Sequence, residues 1–217
     1  SRMLNTHTRY LHEPVLDYAE RLAGLFPPGL DLCMFACTGS EANELAMRLA
    51  RSYTHGTGFI CTEHAYHGNT SAVAEISPSD EPYAPVPHVR TIRAPDPYRW
   101  QVEGNGGDLT SQCLADVDDA LDRFRGNGIA PAALIVDSVF SSDGIVAVPL
   151  AWLAAAVGRV RAAGGLFIGD EVQAGFGRTG ERLWGYDRYD VTPDIVTLGK
   201  PMANGHPVAA VVTRPEI

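Results

Sequence analysis

The sequence predicts an α/β fold, a three-layer sandwich whose mainly parallel sheet is covered by helices on both faces. Two observations predict it. Runs such as Leu32 to Ala36 and Leu166 to Gly169 are continuously apolar, as strands buried on both faces are. Stretches with helical spacing fall between them, so strand and helix alternate along the chain. A third observation places a site. Five of the predicted strands end in residues with chemistry: Thr38-Gly39-Ser40, the segment from His64 to His67, Asp137, Asp170 and Lys200. Ligands of open parallel sheets bind in the crevice at the carboxyl ends of strands, so these residues can converge there.

Residues 12–26 carry Val15, Leu16, Ala19, Leu22, Ala23 and Phe26 at helical spacing, closed by Pro27-Pro28-Gly29. The run Leu32–Ala36 reads as a strand. A second helix follows Thr38-Gly39-Ser40, with Ala42, Leu45, Ala46, Leu49, Ala50 and Tyr53 on its apolar face. Residues 58–61 form a short strand that leads to Glu63-His64-Ala65-Tyr66-His67-Gly68. Residues 77–108 hold six prolines and the run Gly104-Asn105-Gly106-Gly107, which predicts a long loop. A helix with Leu114, Val117, Leu121 and Phe124 on one face comes next. Residues 132–136 are an apolar strand ending at Asp137. Residues 150–163 are a helix stopped by Gly164-Gly165. Strands over 166–169, 195–198 and 208–212 complete the pattern. The chain opens on Ser1-Arg2 and stops at Glu216-Ile217, and both ends read as cuts. The expectation is a single domain over residues 1–217, part of a longer protein.

The chain is 217 residues long and 45% hydrophobic, enough for one large core or two small ones. A net charge of −9 argues against nucleic acid and acidic membranes as partners, since both attract basic surfaces. No stretch reaches about 18 uninterrupted apolar residues, so no membrane span is expected. Cys33, Cys37, Cys61 and Cys113 form no C-x-x-C pair, which suits reduced thiols and a cytoplasmic location. Of the 17 basic side chains, only Lys200 is a lysine. Any chemistry that needs a side-chain amine must use it.

The candidate residues each have an ordinary explanation beside the chemical one. A helix start such as Thr38-Gly39-Ser40 offers free amides and a positive dipole end to a phosphate. Thr38 and Glu41 could equally form a plain capping box. Asp170, an acid ending an apolar strand, needs a partner. A pyridinium nitrogen or an arginine would serve. Lys200, between Gly199 and Pro201 at a strand end, becomes a nucleophile if desolvated; otherwise it is a surface lysine. Tyr66 could stack on a flat ring. His64 and His67 are three apart, but no spacing motif adds further metal ligands, and no metal is expected. Gly175-Phe176-Gly177-Arg178-Thr179-Gly180 spells the dinucleotide fingerprint. That fingerprint works only as a tight strand-to-helix turn, and Asp170 to Ala174 intervene here.

Together these segments resemble the class III (omega) aminotransferases, pyridoxal-phosphate enzymes of the aspartate-aminotransferase fold. Thr38-Gly39-Ser40-Glu41-Ala42-Asn43-Glu44 resembles their phosphate-cup motif, and His64-Ala65-Tyr66-His67-Gly68 the segment that stacks on the cofactor. Asp170-Glu171-Val172-Gln173-Ala174-Gly175-Phe176-Gly177-Arg178-Thr179-Gly180 resembles the most specific signature, and Pro193-Asp194-Ile195-Val196-Thr197-Leu198-Gly199-Lys200 the Schiff-base segment. The resemblance implies that Gly39 and Ser40 hold the phosphate and that Tyr66 and Val172 cover the two ring faces. It implies that Asp170 pairs with the pyridine nitrogen and that Gln173 lies near the phenolic oxygen. Lys200 would bind the cofactor and then act as the base. His67 and Asp137 would join them as cofactor-site residues.

Many members have a Glu-Pro-Val-Gln segment where this chain has Asp137-Ser138-Val139-Phe140-Ser141-Ser142-Asp143-Gly144. The segments from Asn5 to His12 and from Gly199 to Pro207 look most like the branch containing phosphoethanolamine and phosphohydroxylysine phospho-lyases. Two reactions are therefore expected candidates. One moves an amino group between an amine or amino acid and a 2-oxo acid; the other eliminates phosphate from an O-phosphorylated amine. A nucleotide-binding domain without such chemistry is the third. The resemblance also implies a homodimer with a shared active site, and a small C-terminal domain beyond residue 217.

Overall fold

A computed structural model describes residues 9–80, 84–104 and 106–217. Asn5-Thr6-His7-Thr8, part of the resemblance above, lies outside the described residues, as do residues 81–83 and 105 of the expected loop. The apolar runs become β1 (Leu32–Ala36), β2 (Gly58–Thr62), β3 (Val89–Ile92), β4 (Pro131–Asp137), β5 (Leu166–Asp170), β6 (Ile195–Leu198) and β7 (Ala209–Thr213). They form one sheet in the order β1-β7-β6-β5-β4-β2-β3. β7 pairs antiparallel with both neighbours, and every other pairing is parallel. The carboxyl ends of β1, β2, β4, β5 and β6 therefore lie along one edge.

The helices are α1 (Glu13–Ala23), α2 (Gly39–Thr54), α3 (Ser71–Ala74), α4 (Pro97–Val102), α5 (Leu109–Gly126) and α6 (Leu150–Ala162). Strand alternation explains why two helical layers are needed. Phe59, Cys61, Ala133, Ile135 and Ile168 pack on the side of α2, against Ala42, Ala46, Met47 and Ala50. Ile60, Leu134, Val136 and Phe167 face the other way, against Val117, Phe124, Trp152 and Val157 of α5 and α6. Leu22 and Phe26 join Trp184, Tyr186, Val196, Leu198 and Val212 in a third cluster, where the Phe26 and Trp184 rings stack at 4.4 Å. Among the described residues no helix is long and apolar enough to cross a membrane. All four cysteines are free.

Two expectations need correction. The predicted loop over residues 77–108 contains β3 and α4. β3 is an edge strand that buries only Val89 and Ile92, so its apolar signal is weak. α4 buries nothing; Asp96 caps it through the amides of Tyr98 and Arg99, and Pro97 starts it. The docked stripe of α1 also differs. Val15 and Leu16 are exposed, while Tyr18 stacks on Phe35 at 5.3 Å and Leu22 is buried. The helix therefore meets the sheet along Tyr18 and Leu22, one turn apart.

Candidate active site

The edge formed by the five carboxyl ends holds a cavity of about 170 Å3 lined by Gly39, Ser40, Tyr66, His67, Gly68, Asp137, Asp170, Val172, Gln173 and Lys200. The nine residues expected at the cofactor, Gly39, Ser40, Tyr66, His67, Asp137, Asp170, Val172, Gln173 and Lys200, all line it, whereas Thr38 and His64 do not. Parallel register explains the placement: Asp137 of β4 lies directly beside Asp170 of β5.

At the start of α2 both sequence readings hold at once. Thr38 and Glu41 form the capping box, with the Glu41 amide donating to Thr38 Oγ1 at 3.1 Å. Glu41 Oε2 accepts the amides of Cys37 and Thr38 at 2.9 and 2.8 Å. The amides of Gly39 and Ser40, first in the helix, have no intrahelical acceptor. Both residues line the cavity, so the cap leaves a place for an anion. Close approach needs glycine twice. A β-carbon on Gly39 would lie 3.0 Å from Val172 Cγ1, and one on Gly68, at φ +139°, would lie 2.4 Å from Ser40 Oγ.

Asp170 is buried, and no arginine reaches it among the described residues. Its Oδ2 accepts from Asn43 Nδ2 at 2.9 Å and lies 2.7 Å from His67 Nδ1. Its Oδ1 accepts from the Val172 amide at 3.1 Å and from Thr197 Oγ1 at 3.4 Å. The carboxylate is thus fixed at the cavity wall without a full countercharge from an arginine or lysine. That suits a ligand bringing a cationic ring nitrogen. Asn43 and Thr197 were missed from sequence. Asn43 did carry a signal, as a polar residue inside the buried stripe of Ala42, Ala46 and Ala50.

Of the two alternatives for Lys200, the structure shows the exposed one, with the residue lining the cavity. The 3-10 turn Lys200–Ala203 holds it at φ +28°, a conformation that strains a residue with a β-carbon. Tyr66 is likewise 38% exposed. His64 and His67 do not act together: His67 contacts Asp170, whereas His64 lines a separate cavity with Asp143. The Gly175 to Gly180 segment lies in turns followed by the 3-10 turn Gly185–Tyr189, so the strand-to-helix geometry a dinucleotide needs is absent there.

Glu171, next to Asp170, points away from the cavity into the core. Its carboxylate accepts the Ser138 hydroxyl and the amides of Gly185 and Tyr186 at 2.7 and 3.0 Å. Burial pushes its carboxyl from 4.5 up to about 7. The folded value exceeds the unfolded one, so the proton stabilises the fold. That contribution is complete below about pH 4.5 and lost as pH rises through about 7. Glu171→Gln is expected to lower the thermal midpoint at every pH, because its amide opposes a backbone N–H. Its deficit should shrink between about pH 4.5 and 7. A constant deficit in melting curves across that range would show that Glu171 does not titrate there.

An anchored carboxylate, a helix start open to an anion, two ring-flanking side chains and one amine fit pyridoxal phosphate, and known proteins point the same way. "Alanine--glyoxylate aminotransferase 2-like" of Drosophila melanogaster is 39% identical over 99% of this chain and 45% of its own length. "Ethanolamine-phosphate phospho-lyase homolog 1" of Caenorhabditis elegans is 38% identical over all of this chain and 50% of its own. A solved Arthrobacter phospholyase, in complex with phosphoethanolamine, is 43% identical with a TM-score of 0.91, covering 99% of this chain and 51% of that one. The chain spans about half the length of the curated relatives it matches. Residues 2–217 match the family described as aminotransferase class-III, and the chain belongs to that family.

Proposed function

We propose that this chain is the cofactor-binding domain of a pyridoxal-phosphate aminotransferase that moves an amino group between an amine or amino acid and a 2-oxo acid. Class-III aminotransferases use pyridoxal phosphate. The observation that carries the reading is the convergence of Gly39, Ser40, Asp170 and Lys200 on one cavity. When bound, the cofactor supplies an electron sink for the pair left on the substrate carbon. Gly39 and Ser40 would hold its phosphate through helix-start amides. Tyr66 and Val172 would flank its ring. Asp170 would keep the ring nitrogen protonated, and Asn43, His67 and Thr197 hold Asp170 in place. The Lys200 amine would bind the cofactor, then take the proton from the amine-bearing carbon and return it elsewhere on the same framework. The exposure of Lys200 and Tyr66 suits a site completed by further chain or by a second subunit, as in a cytoplasmic homodimer.

A second reading is elimination of phosphate from an O-phosphorylated amine. The Arthrobacter phospholyase favours it, being more similar in sequence and structure than the transaminases compared, such as one from Thermomicrobium roseum at 31% identity and a TM-score of 0.83. Both reactions begin with the same proton removal, and they differ in the bond that breaks next. The full-length holoenzyme with phosphoethanolamine and no 2-oxo acid separates them. The aminotransferase reading expects no catalytic release of phosphate, and turnover of amines only with a 2-oxo acid. Phosphate released over many turnovers would assign the second reaction, because no acceptor was needed.

A further inference from the structure

In the turn that follows β4, from Asp137 to Ser141, the structure holds a hydrogen-bonded chain that the reaction above does not use. Asp137 does not extend into the cavity alone. Its Oδ1 accepts the Val139 amide at 3.1 Å, and its Oδ2 accepts the Ser141 amide at 2.9 Å. The Ser141 hydroxyl also donates to Asp137 Oδ2. Ser141 Oγ in turn lies 2.5 Å from Gln173 Nε2.

Donor and acceptor counting fixes the direction of this chain. A carboxylate only accepts, so the single hydroxyl hydrogen of Ser141 goes to Asp137. Ser141 then has only lone pairs for Gln173, which must turn its amide nitrogen toward it. Hydrogen bonds in such a series polarise one another. The turn itself is rigid. Phe140 is buried at φ +52°, its amide donates to the Asp137 carbonyl at 2.9 Å, and Ser138 is held by Glu171 on the far side.

We propose that Asp137 and Ser141 are positioning residues that fix the amide of Gln173 in the cofactor cavity. The inference rests on the proposed function, since Gln173 acts only if the cavity holds the cofactor. Burial, and the neighbouring Asp170 carboxylate, raise the Asp137 carboxyl above its usual range. Asp170, Glu171 and Tyr189 act on Asp137 electrostatically, and Tyr66, His67 and Lys200 line the same cavity. Protonated Asp137 would become a donor and let the series reverse.

The test uses full-length holoenzyme and the pH dependence of the visible absorption of the bound cofactor. Ser141→Ala should shift the midpoint by about half a unit to one unit, the worth of one or two hydrogen bonds. Ser141→Thr, which keeps the hydroxyl, should restore it. In a Gln173→Ala background, Ser141→Ala should add no further shift, because the serine acts through the glutamine. An unmoved midpoint in Ser141→Ala, or a shift that persists in the Gln173→Ala background, overturns the positioning role alone. A wild-type protein without any visible band overturns the reading of the site, and the positioning role falls with it.

Discussion

Replacing Lys200 with alanine is expected to abolish the yellow colour of the full-length protein incubated with pyridoxal phosphate, and to lower turnover by about 10³-fold or more. Lys200 is the only lysine of residues 1–217, so no other lysine of this domain can take over. Lys200 also lines the same cavity as Asp170 and the α2 start. The fold should survive the change. Alanine keeps the β-carbon, so the strain of φ +28° is present in both proteins and largely cancels. The exposed side chain makes no ion pair among the described residues, so little stability is lost. A variant that keeps colour and activity would remove the amine from the chemistry. The site would then have to be explained as a binding site alone.

Much of this architecture was legible because buried parallel strands advertise themselves. The strand over 166–169 is apolar without interruption and that over 195–198 is broken only by Thr197, and each leads into a residue with chemistry. The strand over 32–36 is equally apolar, although it is an edge strand without a buried residue, so its expected burial on both faces is corrected. β3 and α4 were not legible, because an edge strand with Arg90 and Thr91 and a helix with no buried face lack the periodicity that burial imposes. The cavity residues were found through motif order and strand ends. Their supports were not. Asn43 reaches Asp170 across 127 residues, and Ser141 reaches Gln173 across 32. Nothing in local spacing encodes which hydroxyl or amide meets which acid after folding. The exposure of Lys200 was not legible either, since strand-end position says where a side chain starts but not what covers it.

Asp170→Asn is expected to lower turnover by on the order of 10²–10³-fold, with a smaller loss of stability. The two side chains have the same shape, so the change tests charge and hydrogen-bond direction rather than packing. In the wild type every neighbour donates: Asn43 and His67 to Oδ2, the Val172 amide and the Thr197 hydroxyl to Oδ1. Asparagine offers one oxygen and one NH2 group. Its oxygen suits the Asn43 and His67 side, where two side-chain donors need an acceptor, while on the other side the Thr197 hydroxyl can turn to accept. The NH2 group then faces the Val172 amide and leaves that N–H without its acceptor, at a cost of about 1–3 kcal/mol. Stability measured by denaturation should show that loss. The larger effect comes from charge. A buried carboxylate favours a protonated ring nitrogen, and a neutral amide does not. The bound cofactor would then be a weaker electron sink at unchanged geometry. Kinetics that fall only in proportion to the lost stability would assign Asp170 to structure. A fall in kcat well beyond it, with cofactor still bound, would place its charge in the reaction.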